Sequence, residues 1–193
     1  HEGVLFLDEL AEFSRSVLES LREPLEEGSV IISRAQGQVR YPVRFQLIGA
    51  MNPCPCGFSG VVGSSCTCHP RQRMLYRGKV SGPLMDRIDM QVFMIAVDPI
   101  REREQTRLRS VDIKERVERA RAILGESPIS LQTGALQGDT AVLLNRAVGR
   151  LGLSMRALDR IKKVSRTIAA LDGATLASPH HLSEALRYRR VWK

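Results

Sequence analysis

Several features that would define other protein classes are absent or scarce in this 193-residue sequence. Only three Tyr and one Trp occur, which argues against a base-stacking platform for single-stranded nucleic acid. No apolar run approaches the roughly 18 residues needed to span a bilayer, and the first residues do not resemble a secretory signal. The composition is otherwise ordinary, with 43% hydrophobic and 26% charged residues. We therefore expect a folded, soluble, cytoplasmic protein without a membrane partner.

A phosphate-binding loop is also missing. The pattern G-x-x-x-x-G-K-[ST] occurs nowhere in the chain. Its backbone amides and lysine are the groups that hold the β- and γ-phosphates of a bound nucleotide. We therefore do not expect this chain to hydrolyse a nucleoside triphosphate by itself.

Positive charge is concentrated in the second half. The net charge is +8, and residues 1–99 carry 10 Lys/Arg against 11 Asp/Glu, whereas residues 100–193 carry 19 against 10. Such a balance suits a polyanionic partner. Scattered arginines on solvated helices would produce the same balance, so the charge leaves both interpretations open.

The first half has the pattern of an α/β unit. A helix is predicted over residues 14–27, distorted at Pro24 and ended by Gly28. Residues 29–33 and 38–44 predict a hairpin, and residues 53–82, rich in Pro, Gly, Ser and Cys, are expected to be irregular. Three short apolar runs predict strands, the first two of them buried as in a parallel sheet: residues 4–7, 45–51 and 92–97.

The second half is predicted to be all-helical. A long charged helix is predicted over residues 101–124, followed by a loop over 125–138. Three further helices are predicted over residues 139–151, 154–171 and 179–190. Ser178 and Pro179 supply an N-cap and a first-turn proline for the last one. We place the domain boundary between residues 99 and 100.

Polar residues follow the first two predicted strands. Asp8 and Glu9 come directly after residues 4–7, and Asn52 follows the strand at 45–51. Ligands of open α/β sheets bind at the carboxyl ends of the strands, where paired carboxylates can hold Mg²⁺ and polarise a water. An acidic strand end before a helix cap is common, and Asn-Pro also opens ordinary turns.

Two arginines are further candidates. Arg87 lies between Asp86 and Asp89 in a short apolar segment, where it fits either an arginine finger or a surface ion pair. Arg156 follows Ser154 near a predicted helix start. The local sequence alone indicates that Arg156 is a surface residue at a helix start.

The four cysteines form two C-x-C pairs separated by nine residues, with His69 adjacent. Nothing suggests secretion, so disulfides are the less expected explanation. Four thiols within 15 residues can close a tetrahedral Zn²⁺ site, although C-x-C is tighter than the usual C-x₂₋₄-C. The alternatives are a zinc site that staples an irregular insertion and four reduced thiols in a mobile loop, and both stay open: Cys54, Cys56, Cys66 and Cys68.

Several segments together resemble the magnesium-chelatase-like AAA+ ATPases. HEGVLFLDEL is followed by LREPLEEG, then by a predicted hairpin that runs into YPVRFQLIGAMN, and then by SGPLMDRIDM. This series resembles that family's Walker B strand, pre-sensor hairpin, sensor 1 and arginine-finger segments. NPCPCG and LGLSMRALDRIKKVSRTIAALDG are similar to the ComM/YifB branch. The resemblance implies a truncated P-loop (AAA+) parallel-sheet core followed by an all-α lid domain, with the phosphate loop upstream of His1 and sheet edges open to dimerisation.

The resemblance also implies roles for individual residues. Asp8 would be associated with Mg²⁺, and Glu9 would be the catalytic base that acts on water. Asn52 would be sensor 1, Arg87 would act in trans on the nucleotide of a neighbouring subunit, and Arg156 would be sensor 2. ATP and Mg²⁺ are the implied cofactors, in a ring that is expected to be hexameric.

Three functions remain compatible with these residues. The ComM-like resemblance implies a motor on DNA, with helicase or branch-migration activity in DNA uptake and recombination. A magnesium-chelatase I-type subunit would instead drive metal insertion into a porphyrin through a protein partner. A non-catalytic, zinc-stapled adaptor would carry the acidic and arginine motifs as remnants.

Overall fold

The computed structural model describes residues 1–35, 37–61, 63–94, 108–125, 136 and 138–189. The chain forms two compact units, His1–Ile88 and Asp89–Lys193. Among the described residues, the first unit contains the strands, and the regular structure of the second is helical. The architecture is mixed α/β.

Two strands of the first unit pair in parallel. Strand β1 spans Gly3–Leu7 and strand β4 spans Phe45–Gly49, in a register that pairs Leu5 with Leu47 and Leu7 with Gly49. Because the strands are parallel, their carboxyl ends lie at the same edge of the sheet. The predicted strands at residues 4–7 and 45–51 are thus confirmed, the second ending two residues early.

Burial of β1 on both faces was predicted wrongly. Val4 and Phe6 are 63% and 58% exposed, and Ile48 of β4 is 43% exposed, whereas Leu5 and Leu7 are half-buried. Successive side chains of a strand point to opposite faces. In the described part of the chain only the face of Leu5 and Leu7 is covered, and an apolar run does not reveal which faces are covered.

The helical run after β1 is divided into a 3₁₀ turn and two short helices. The turn spans Leu10–Glu12, helix α1 spans Arg15–Ser20 and helix α2 spans Arg22–Glu27. The hydroxyl of Ser14 caps α1 by accepting a hydrogen bond from the Val17 amide. Pro24 lies in the first turn of α2, where its missing N–H needs no partner. The predicted distortion is therefore confirmed as a break at Leu21.

A hairpin connects α2 to β4, as predicted. Strands β2, Ser29–Arg34, and β3, Gly37–Pro42, pair antiparallel, with Ser29 opposite Pro42. Gly28 ends α2 in the left-handed conformation, with φ of 62°. Apolar side chains of this hairpin remain between 44% and 51% exposed: Ile31, Ile32, Val39 and Tyr41.

The segment after β4 contains two helices that the composition concealed. Helix α3 spans Pro70–Gly78 and helix α4 spans Gly82–Met85, so the prediction of irregular structure over 53–82 was wrong there. His69 caps α3 through its ring, while the Gln72 side chain accepts a hydrogen bond from the His69 amide. Val80, between α3 and α4, and Leu84 of α4 belong to a core cluster of the first unit together with Leu10 and Leu18.

The strand predicted over residues 92–97 is not present in the part of it that the structure describes. Residues 92–94 carry no strand, and residues 95–97 lie outside the described residues. Residues 101–107 of the predicted long helix and most of the predicted 125–138 loop also lie outside them.

Four helices form the described part of the second unit. They are α5 (Ser110–Gly125), α6 (Gly138–Leu151), α7 (Met155–Leu171) and α8 (Pro179–Arg187). Ser154 caps α7 by accepting a hydrogen bond from the Ala157 amide at 3.2 Å. The core of this unit contains Leu144, Ile161, Val164, Ile168, Leu182 and Ala185. No helix that the structure describes is long and apolar enough to cross a membrane.

Candidate nucleotide site and cysteine cluster

Backbone hydrogen bonds bring the ends of β1 and β4 together. The Ala50 amide donates to the Leu7 carbonyl at 2.9 Å, and the Leu10 amide donates to the Ala50 carbonyl at 2.8 Å. Asp8 and Glu9 therefore leave the sheet at the same edge as the segment that leads to Asn52. All three of these polar residues are exposed, so their side chains are open to a ligand from solvent.

Glu9 has an unusual backbone conformation. Its φ and ψ are 49° and 47°, the left-handed region that non-glycine residues seldom occupy. The Asp8 carboxylate accepts a hydrogen bond from the Glu9 amide at 2.9 Å and so supports this turn. Such strained residues cluster at functional sites, and the conformation is compatible with a chemical role for the Glu9 carboxylate.

A buried tyrosine lies close to these acids, and the sequence interpretation missed it. Tyr76 of α3 is 6% exposed. Desolvation and the negative charges of Glu12 and Glu9 raise the pKa of the Tyr76 phenol. Its phenol is therefore protonated at neutral pH. No pattern in the sequence marked Tyr76, because it lies in helix α3, which was not predicted.

Arg87 is buried and is held by an acid that is distant in sequence. Its side chain is 7% exposed, its Nη1 donates to the Pro83 carbonyl at 2.8 Å, and its Nη2 contacts the Glu26 carboxylate of α2. Asp89 pairs with Arg160 of α7 instead. The interpretation of Arg87 as part of a surface ion pair does not fit this burial, and Glu26 was not recognised as its partner.

Arg156 belongs to the second unit. It lies in the first turn of α7, two residues after the capping Ser154, and it is exposed.

The four cysteines converge although they come from two separate pairs. Cys54 Sγ lies 3.4 Å from Cys56 Sγ and 3.7 Å from Cys66 Sγ, and Cys56 and Cys66 are 3.6 Å apart. All four sulfurs, including that of Cys68, lie within 4.8 Å of one another. Such a group of thiols could hold a metal ion.

The environment affects these thiols unequally. The backbone N–H of Phe58 is the main cause that lowers the pKa of Cys56 to about 5. Desolvation and the neighbouring Cys56 raise the pKa of Cys68 to about 12. If all four sulfurs at these distances carried a negative charge, they would repel one another strongly. A cation between them would remove that repulsion.

The sequence matches known proteins over nearly its full length. Residues 1–102 match the family described as magnesium chelatase, subunit ChlI, and residues 107–189 match the C-terminal family of the same subunit. The competence protein ComM of Haemophilus influenzae is 41% identical over 98% of this chain and 39% of its own length. The YifB proteins of Escherichia coli and Salmonella typhimurium, both uncharacterized, are 40% and 37% identical over 99% of this chain. The chain therefore spans about two fifths of these relatives.

Both matches follow the order of the chain, with the sheet and its acidic edge in the first match and α6, α7 and α8 in the second. The AAA+ type of fold expected for this family agrees with the mixed α/β unit and the helical unit described above. This chain belongs to the magnesium-chelatase family and, within it, is similar to the ComM/YifB proteins.

Proposed function

We propose that this chain supplies part of the hydrolytic site of a ring-forming ATPase. The observation that carries the proposal is the shared edge where Asp8, Glu9 and the Asn52 segment leave two paired parallel strands. Carboxylate oxygens are the ligands that Mg²⁺ prefers. The exposed acids at this edge therefore fit a nucleotide bound together with that ion.

Each residue has a distinct task in this proposal. Asp8 holds Mg²⁺, which neutralises phosphate charge when bound. Glu9 accepts a proton from the attacking water, and the Asn52 amide orients that water or a phosphate oxygen. Arg87 of one subunit and Arg156 contribute fixed positive charge to the phosphates.

Hydrolysis is expected only where a phosphate loop accompanies these residues. The 193-residue chain alone should show no ATP turnover above background, because it contains no G-x-x-x-x-G-K-[ST]. We use "the whole protein" for a chain of the relatives' full length that includes these residues. The whole protein should hydrolyse ATP. Phosphate release from the two proteins, measured side by side, checks this. Turnover by the 193-residue chain that survives Glu9→Gln would contradict the assignment of Glu9.

DNA is the proposed substrate of the motor. Support comes from the excess positive charge of residues 100–193, from the exposed Arg34 at the end of β2, and from the name of one relative, a competence protein. Polyanion binding through arginines releases counterions from the phosphate backbone. The affinity should therefore depend steeply on salt.

A salt titration tests the DNA proposal. With about three phosphate contacts, the affinity of the whole protein for duplex DNA should fall on the order of 10- to 100-fold when salt is raised four-fold. Arg34→Ala should make this dependence shallower, whereas Arg15→Ala, an exposed position on α1, should leave it unchanged. Fluorescence anisotropy measures both. Binding that is weak and insensitive to salt would contradict DNA as the substrate.

A second function follows from the family description, magnesium chelatase subunit ChlI. In that case ATP hydrolysis would drive metal insertion through a protein partner, and the basic half would contact that protein. An active ATPase without salt-dependent DNA binding would favour this alternative.

A further inference from the structure

The spacing of the four cysteine sulfurs corresponds to a bound metal ion. In a tetrahedral site with Zn–S bonds of about 2.3 Å, neighbouring sulfurs lie about 3.8 Å apart. The three separations among Cys54, Cys56 and Cys66 are 3.4, 3.7 and 3.6 Å. A disulfide needs about 2.0 Å, so the sulfurs have the spacing of ligands around a common centre.

The local chain explains how two residues as close as Cys54 and Cys56 point at one centre. The Gly57 amide donates to the Cys54 carbonyl at 3.0 Å and closes a turn around Pro55 and Cys56. Gly57 has φ of 82°, where a side chain would introduce strain. The turn therefore brings both sulfurs to the same side despite the tight C-x-C spacing.

Backbone amides also surround the sulfurs. The Ser59 amide donates to Cys54 Sγ at 3.3 Å, and the Phe58 amide donates to Cys56. Cys54 is fully buried. Hydrogen bonds of this kind orient metal ligands and stabilise thiolates.

We propose that the four thiols, Cys54, Cys56, Cys66 and Cys68, hold one Zn²⁺ in a closed structural site. Each thiol releases its proton when it binds the ion. Four protein ligands leave no open position for water or substrate, so the ion has no catalytic task. None of the four cysteines has a task in the proposed ATP site, so the zinc site goes beyond the proposed function.

The metal connects the end of β4 to the start of α3. Cys54 lies two residues after Asn52, and Cys68 directly precedes His69, which caps α3. Arg77 of α3 donates to the Pro53 carbonyl at 3.2 Å, so α3 also contacts the beginning of this segment. Removal of the metal should therefore loosen residues 53–69 more than the rest of the first unit.

Metal analysis of the 193-residue chain tests the proposal. Protein purified under reducing conditions without added zinc should contain about one Zn²⁺ per chain by inductively coupled plasma mass spectrometry, as a four-ligand site requires. Cys56→Ser and Cys68→Ser should each lose most of it. His69→Asn is the matched control, because Asn can cap α3 and His69 is not one of the four ligands. This variant should keep its zinc.

A second measurement uses only the wild-type chain, in case the cysteine variants do not fold. Zinc removal by a chelator should increase hydrogen exchange of residues 53–69, with the β2–β3 hairpin as the internal reference. Zinc content near zero with four titratable thiols, iron in place of zinc, unchanged exchange after chelation, or loss of zinc in His69→Asn would each overturn the proposed site. None of these measurements depends on ATP, so they distinguish failure of the zinc site from failure of the motor.

Discussion

In the whole protein, Glu9→Gln is expected to lower ATP turnover by about 10²- to 10⁴-fold while ATP binding is retained. The glutamine has nearly the same shape and can still accept hydrogen bonds, but it cannot take up the proton of the attacking water. Glu9 is exposed at the carboxyl edge of β1, so its carboxylate is open to solvent. Phosphate release at saturating ATP measures the turnover, and isothermal titration calorimetry measures the affinity.

Glu12→Gln is the matched control for this variant. Glu12 is an exposed acid three residues further along, and its carboxylate accepts a hydrogen bond from Lys79 at 3.3 Å. It should retain turnover, because its carboxylate is already engaged at the surface. If Glu9→Gln hydrolyses ATP at the wild-type rate, or if it no longer binds ATP, Glu9 is not the general base.

Mixing two inactive variants should restore ATPase activity if Arg87 acts across a subunit interface. Arg87→Ala should lower turnover on the order of 10³-fold or more, because a phosphate-stabilising arginine is lost. In a ring assembled from equal amounts of Arg87→Ala and Glu9→Gln subunits, about one quarter of the head-to-tail interfaces combine a wild-type Glu9 with a wild-type Arg87. Neither variant alone forms such an interface, so partial recovery should stand clearly above background.

The burial of Arg87 makes this experiment informative. Its guanidinium contacts Glu26 and the Pro83 carbonyl within the same chain. Action in trans therefore requires the contact with Glu26 to be exchanged for a phosphate. A ring of Glu26→Gln subunits breaks the ion pair but keeps the guanidinium. Retained turnover in that ring, together with its loss in Arg87→Ala, would show that turnover needs the guanidinium itself and not its ion pair with Glu26.

The contrary outcome is equally specific. If native mass spectrometry shows mixed rings and their activity stays at the level of the separate variants, Arg87 does not serve a neighbouring subunit. It would then hold α4 against α2 through Glu26. In that case both Arg87→Ala and Glu26→Gln should lower the free energy of unfolding. Breaking a fully buried ion pair costs about 3 to 5 kcal/mol. The loss should be smaller here, because Glu26 is partly exposed.

Elements with strong short-range signals were predictable from sequence. Helix α7 follows from Ser154 as its cap and from apolar residues at helical spacing, and the hairpin follows from two β-prone runs around a turn. Helix α3 was missed because its composition resembles a loop and its cap is His69, a residue outside the usual capping set. A distortion of the helix at Pro24 was predicted because proline restricts the backbone locally, but its position at Leu21 was not.

The sequence by itself determined the first parallel strand pair, the hairpin, most helices of the second unit, the family, and the candidates Asp8, Glu9 and Asn52, because caps, periodicity and motifs depend on neighbours in the chain. The tertiary structure alone decided that Val4 and Phe6 face outward, that Glu26 holds the Arg87 guanidinium, and that the two C-x-C pairs converge. Each of these depends on distances between atoms that are far apart in the chain, and such distances are set by the packing of an entire unit. Glu26 and Arg87 lie 61 residues apart, and no local pattern connects them.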